Sequence, residues 1–201
     1  ALRSALQAVL ALDRQLAYTV ILRDRHLDEL ETTLDRLCLE FLVRHQPAAG
    51  ILRFVYSTSK IIKELERIGD YAKGIARIAL RLGNQPPVKP LIDIPRMVEI
   101  AVDMLHRAVA AFVDQDIEQA QQIPQEDDQV DALYNQVYRE LVAIMFSDPS
   151  TIDRANYLMW VAHNLERVAD RVTNVCERTV YSASGKLIEF APSDDEMKER
   201  L

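Results

Sequence analysis

The chain repeats itself, and that repetition limits its fold more than any other feature. The segment ELERIGDYAKGIARIAL at 64–80 is echoed by NLERVADRVTNVCERTV at 164–180, so Leu65, Glu66, Arg67 and Asp70 recur as Leu165, Glu166, Arg167 and Asp170. Upstream, Asp13, Ala17, Asp24 and Asp28 recur as Asp116, Ala120, Asp127 and Asp131. The offset is 100 residues for one block and 103 for the other, and the shift falls where HQPAAGILRF is replaced by FSDPSTID. Two blocks in the same order at nearly one period define tandem copies of a single supersecondary unit.

That unit is helical. Five glycines in 201 residues, and no runs of alternating β-branched residues, leave α-helix as the default. Gln46-Pro47 and Ser147-Asp148-Pro149-Ser150 each end one helix and open the next, proline being suited to a helix's first turn. The proline-rich stretch from Gly83 to Pro90 separates the copies. Asp13 and Asp116 are expected to cap the helices that follow them. The pattern predicts helices near 1–12, 15–45, 48–82, 94–113, 117–146 and 150–184. The fold class is therefore all-α: two tandem up-down three-helix bundles. The first repeat is expected over 1–84, a linker over 85–93, the second repeat over 94–190 and a polar tail over 191–201. The first helix is expected to be cut short at residue 1, because its counterpart has a longer run-in.

Apolar stripes at 3-4 spacing mark the faces that should meet. They comprise Leu65, Ile68, Ala72, Ile75 and Ala79 on the third helix, and Leu165, Val168, Val172, Val175 and Thr179 on its counterpart. Leu27, Leu30, Leu34 and Leu37 are expected to do the same on the second helix. Tyr157, Met159 and Trp160 are expected to pack between the bundles.

The carboxylates lie off these stripes. Glu66 and Asp70 are about 40° apart around a helix, and so are Asp24 with Asp28, Asp127 with Asp131, and Glu166 with Asp170. If the long helices are antiparallel neighbours, each copy brings four carboxylates to a shared groove, expected to be open to solvent. Like charges four residues apart cost roughly 0.2–0.5 kcal/mol per pair on a helix, so four together call for a counter-charge. A polar face paired to Lys63, Arg67, Lys73 or Arg77 would supply it, and so would a hard cation. All-oxygen ligands suit magnesium, calcium, manganese or iron, and also zinc. Occurrence in both copies and in register favours a special site.

Other functions find less support. A net charge of −7 gives no electrostatic basis for nucleic-acid binding. No apolar run reaches the roughly 20 residues a membrane span needs. Cys38 and Cys176 each sit within an apolar helical stripe and read as buried free thiols of a reducing compartment, hence a cytoplasmic chain. A carboxylate-bridged di-metal enzyme of the ferritin-like type expects Glu-x-x-His on two helices. None of His26, His45, His106 or His163 has a glutamate three residues before it, and the reversed pair His163/Glu166 has Lys63 in place of the histidine in the first copy. Phosphate-loop, dinucleotide and nucleophile-elbow motifs are missing too, so the chain reads as a non-enzyme. Self-association into a homodimer is expected of apolar bundles of this length.

The segments HQPAAGILRFVYSTSKIIKELERIGDYAKGIA and NLERVADRVTNVCE resemble the signature helices of the PhoU family of phosphate-uptake regulators, and E-R-[IV]-[GA]-D occurs in both. The resemblance implies a pair of three-helix bundles related by a pseudo-twofold axis. It also implies a cytoplasmic, non-enzymatic negative regulator of phosphate uptake and starvation signalling. Such a protein would link a phosphate ABC transporter to a sensor histidine kinase, reaching the membrane through those partners. It further implies multinuclear iron or zinc on the acidic motifs, which here are Asp24 with Asp28, Glu66 with Asp70, Asp127 with Asp131, and Glu166 with Asp170. The motif continues as Asn174 in the second copy, whereas the first has Gly74 between Lys73 and Arg77, which weakens the first site.

Overall fold

The structure, a computed structural model, describes residues 1–190, so the polar tail expected at 191–201 lies outside the described residues. The first repeat is α1 (Leu2–Ala11), α2 (Arg14–His45) and α3 (Ala49–Leu82). The second is α4 (Asp93–Asp114), α5 (Ile117–Gln122), α6 (Asp127–Ser147) and α7 (Ile152–Ser184). No strand occurs among the described residues, and no helix among them is long and apolar enough to cross a membrane.

The repeat extends to single dihedral angles. Leu12 and Gln115 end α1 and α4 in the left-handed region, at φ 52 and φ 54. Such a conformation costs an L-residue about 1–2 kcal/mol. The turn that follows offsets it: the backbone N–H groups of Asp13 and Asp116 reach back to Ala8 O and Ala111 O, each at 2.9 Å. The two aspartates then cap the next helices as expected, their Oδ1 atoms accepting from Leu16 N at 2.9 Å and Gln119 N at 3.0 Å.

The stripes of α3 and α7 become the centre of the molecule. Ile75 and Leu165 are fully buried, and one continuous apolar core passes through both repeats, with α3 against α7 as its most extensive helix pairing. Contacts across that pairing obey the pseudo-twofold. Glu64 accepts from Asn174 Nδ2 at 3.3 Å, and a Cβ on Gly74 would come 3.1 Å from Asn164 Oδ1. Residue 64 thus meets 174 while 74 meets 164. The glycine makes room for the asparagine, which gives the Gly74/Asn174 difference a packing cause. Arg171 Nη1, 3.5 Å from Glu64 Oε2, and the stacked rings of Phe54 and Phe112, 5.0 Å apart, add to the same join.

Three expectations are corrected. Leu30, Leu34 and Leu37 are not core: they are 41%, 41% and 48% exposed. At 1.5 Å per residue, α1 with 10 residues covers only the start of the 32-residue α2. Leu27, further up α2, is half-buried, packed where a Cβ on Gly69 would intrude. Second, the helix expected over 117–146 is broken. Pro124 has no N–H to bond back into the α-helix, and Ile123–Glu126 forms a 3-10 turn that lets α6 restart at Asp127. Third, Trp160 is 53% exposed and meets His163 edge-on at 5.9 Å, whereas Tyr157 and Met159 do pack against the core. Both cysteines are free; Cys38 is only half-buried, while Cys176 is buried, which pushes its thiol up to about 12, beyond easy ionisation.

Candidate carboxylate sites

Each repeat places its acidic motifs between its two long helices, α2 with α3 and α6 with α7. Six of the eight carboxylates are buried or half-buried rather than solvent-facing, while Asp28 and Asp131 are exposed. Asp24 is only 6% exposed, and the Glu166 side chain 14%. The paired carboxylates therefore leave water on folding, and what meets them decides their charge.

In the first repeat lysines meet them. The Lys73 ammonium donates to Asp24 Oδ2 and, at 2.6 Å, to Asp70 Oδ1, tying α2 to α3. Burial alone would raise the Asp70 carboxyl, but the Lys73 ammonium, a hydrogen bond with Glu66 and the Arg67 charge together bring it below its ordinary value. Burial would lower the Lys73 ammonium, and the bonds to Asp24 and Asp70 raise it instead. Lys63 Nζ lies 2.8 Å from Glu66 Oε2 and 3.6 Å from Glu31 Oε1. Asp28 does not join this set: it is exposed on α2, with its backbone carbonyl accepting from Thr32. Glu31 takes the place the sequence offered to Asp28.

In the second repeat the equivalents of those two lysines are Thr173 and His163. Thr173 Oγ1 is 3.5 Å from Asp127 Oδ2, a distant hydroxyl where the first repeat has an ammonium. Asp127, Asp131, Glu166 and Asp170 feel one another. Burial, then the charges of Asp131, Asp170 and Asp128, push the Asp127 carboxyl up to about 7 against the small opposing effect of Thr173. Burial and the charge of Asp170 push Glu166 up to about 8, with Asp131 and Asp127 adding to this and Arg167 opposing it. Compensation is partial: Arg167 Nη1 is 3.3 Å from Asp170 Oδ2, and His163 Nδ1 is 3.4 Å from Glu166 Oε2. Among the described residues, Asp127 Oδ1 is buried with no hydrogen-bond partner, whereas Glu166 Oε2, like its counterpart Glu66 Oε2, is buried beside the basic group three residues earlier. Asn174 turns instead to Glu64, across the join between repeats.

These observations test whether a metal suits each set. The second is an all-oxygen cluster with a buried acceptor, Asp127 Oδ1, that lacks a hydrogen-bond partner, which is the donor chemistry of a hard cation. In the conformation described, no group of three or more His, Cys, Asp or Glu side chains among the described residues is arranged to hold one, so binding would draw the carboxylates together. The first set does not fit, because ammonium groups already take its charge. Lys63 and Lys73 stood in the sequence as ordinary neighbours of the motifs. Their signal was the substitution pattern between copies, Lys63 for His163 and Lys73 for Thr173.

Fold and site together define a two-repeat helical-bundle protein that carries, in each repeat, a D-x-x-x-D motif on one long helix and an E-x-x-x-D motif on the next. The family model described as the PhoU domain matches residues 1–79 and 94–179, one match per repeat, and the chain belongs to the PhoU family. It is similar to a phosphate-specific transport system accessory protein PhoU homolog of Aquifex aeolicus, 38% identical over 94% of this chain and 85% of that protein. The phosphate-specific transport system accessory protein PhoU of Escherichia coli is 34% identical over 96% of this chain and 80% of its own length. Two crystal structures superpose with a TM-score of 0.87. PhoU from Pseudomonas aeruginosa is 33% identical, over 92% of this chain and 89% of that one. The phosphate transport system regulatory protein PhoU from Streptococcus pneumoniae is 28% identical, over 94% and 88%.

Proposed function

We propose that this chain is an accessory regulator of a phosphate-specific transport system, acting as an adaptor between the transporter and a sensor histidine kinase. One observation carries the first part: relatives bearing that transport role in their names align over nearly the whole chain, both repeats included. The helical body supports an adaptor, because a continuous core joins the repeats rigidly and leaves long helix faces for partners. It works as a negative regulator, beneath the membrane and through its partners. Its second repeat holds a divalent cation on Asp127, Asp131, Glu166 and Asp170, with iron, zinc or manganese as the candidates. Bound there, the cation would neutralise the charge that now leaves Asp127 and Glu166 near 7 and 8. The di-metal oxidase reading gains nothing from the comparisons, and the chain is read as a non-enzyme.

The test is co-purification. Tagged chain recovered from its host's membranes under phosphate excess should bring down the transporter and the kinase, and less of one or both under starvation. Recovery of neither under both regimes would contradict the adaptor.

A further inference from the structure

The two acidic sets share positions and one arginine, Arg67 or Arg167, and differ in two further counter-charges, Lys63 against His163 and Lys73 against Thr173. Asp24 and Asp127 correspond, as do Asp70 and Asp170, and Glu66 and Glu166. Lys73 reaches from α3 to both aspartates of the first set. Its counterpart Thr173 reaches one aspartate of the second, at 3.5 Å, and carries no charge. Lys63 sits 2.8 Å from Glu66, and its counterpart His163 sits 3.4 Å from Glu166. An ammonium bridging carboxylates from facing helices supplies the charge and the cross-link that a bound cation supplies, without an ion from solution.

We propose that Lys73, with Lys63, is a built-in cation of the first repeat, so that this repeat takes up no metal and uptake is confined to the second. The inference rests on the metal reading of the second repeat, and it names the residues that set which half of the molecule is metal-dependent. Lys73 is a positioning residue: it ties α2 to α3 through Asp24 and Asp70, the cross-link that an ion would supply between α6 and α7. A chain of this type can therefore keep one repeat locked at every metal concentration while the other responds.

The test uses the full chain stripped with chelator and titrated with Mn2+ by calorimetry, with thermal melting as a second readout. In the wild type, binding should disappear in Asp170→Asn and be unchanged in Asp70→Asn. The double variant K63H/K73T should gain Mn2+ binding that Asp70→Asn removes. The reverse change, Thr173→Lys, should abolish binding by the wild-type site and raise the melting temperature in chelator, since an ammonium now bridges Asp127 and Asp170. It does not empty a buried pair, so it remains informative if K63H/K73T fails to fold. Mn2+ binding that Asp70→Asn weakens in the wild type would overturn the proposal. So would a Thr173→Lys chain that binds Mn2+ normally, or one that melts lower in chelator. If the wild type binds no Mn2+, Fe2+ or Zn2+, the metal reading of the second repeat fails. The lysine lock is then judged by whether Lys73→Met and Asp24→Asn are strongly non-additive in chelator; additive effects would sink it.

Discussion

The two repeats solve the same electrostatic problem in opposite ways. Both bury acidic motifs between antiparallel long helices, and burial of a carboxylate must be answered by a charge, a proton or hydrogen bonds. The first repeat answers with charge: Lys73 bridges Asp24 and Asp70 and keeps Asp70 ionised. The second answers with protons, holding Asp127 and Glu166 near 7 and 8. On the proposed metal reading, a divalent cation entering the second set would have to displace those protons. Changes at two positions, Lys63 to His163 and Lys73 to Thr173, thus separate a lysine-paired acidic set from one whose carboxyls burial pushes up.

The largest effect should come from unlocking the first repeat. Lys73→Met leaves Asp24 buried and unpaired, and breaking a buried pair in this way costs about 3–5 kcal/mol. Chemical denaturation in chelator should show that loss, and pairing the change with Asp24→Asn should recover much of it. The second repeat should respond with the opposite sign. Glu166→Gln removes a charge that burial and Asp170 oppose, so in chelator at pH 8 it should stabilise the chain by about 1–2 kcal/mol. The same substitution should weaken binding of any divalent cation.

The pH dependence separates the halves further. Asp127 and Glu166 have folded values, about 7 and about 8, above their ordinary values of 3.8 and 4.5. Between those limits the folded chain holds more protons than the unfolded one. Stability is therefore fully present below about pH 4 and is lost as pH rises toward 8, with a slope of up to about 1.4 kcal/mol per pH unit for each group that stays protonated. Asp70 has the opposite sign: its contribution is present above its ordinary value of 3.8 and is lost as pH falls below it. Denaturation from pH 3 to 9 in chelator should show stability falling at both ends. A divalent cation should flatten the alkaline limb and leave the acid limb unchanged. The smallest effects belong to the shared frame. Asp13→Ala and Asp116→Ala each remove one N-cap bond and should cost about 1 kcal/mol apiece, equal because the two turns are alike. A large inequality would show that the repeats differ in more than their acidic sets.

Much of this was legible in the sequence, for identifiable reasons. The offset of 100 between Leu65 and Leu165 fixes two copies, and the stripes through Ile75 and Val175 fix the faces that meet. Asp13 and Asp116 revealed their capping role through their position alone. The leucines of α2 misled because an apolar stripe shows which face is sticky, not whether a neighbouring helix is long enough to cover it. Pro124 was overlooked inside a strong helical pattern. The acidic motifs were found, but their depth was not, since angular spacing on one helix says nothing about what a second helix lays over it. Asn174 was grouped with them through the family resemblance, whereas the crossing of α3 and α7 turns it to Glu64. Lys73 and Lys63 were visible as neighbours, and only the facing helix shows which carboxylates they hold.

The difference in charge between the two acidic sets of the folded, metal-free chain is the quantity to measure. It is tested most directly by a carboxyl 13C NMR titration of chelator-treated protein with assigned Asp and Glu signals. Asp127 and Glu166 should titrate near 7 and 8, while Asp70 stays ionised until the pH falls below 3.8. Asp127 and Glu166 titrating in the ordinary carboxylate range, alongside Asp70, would contradict it.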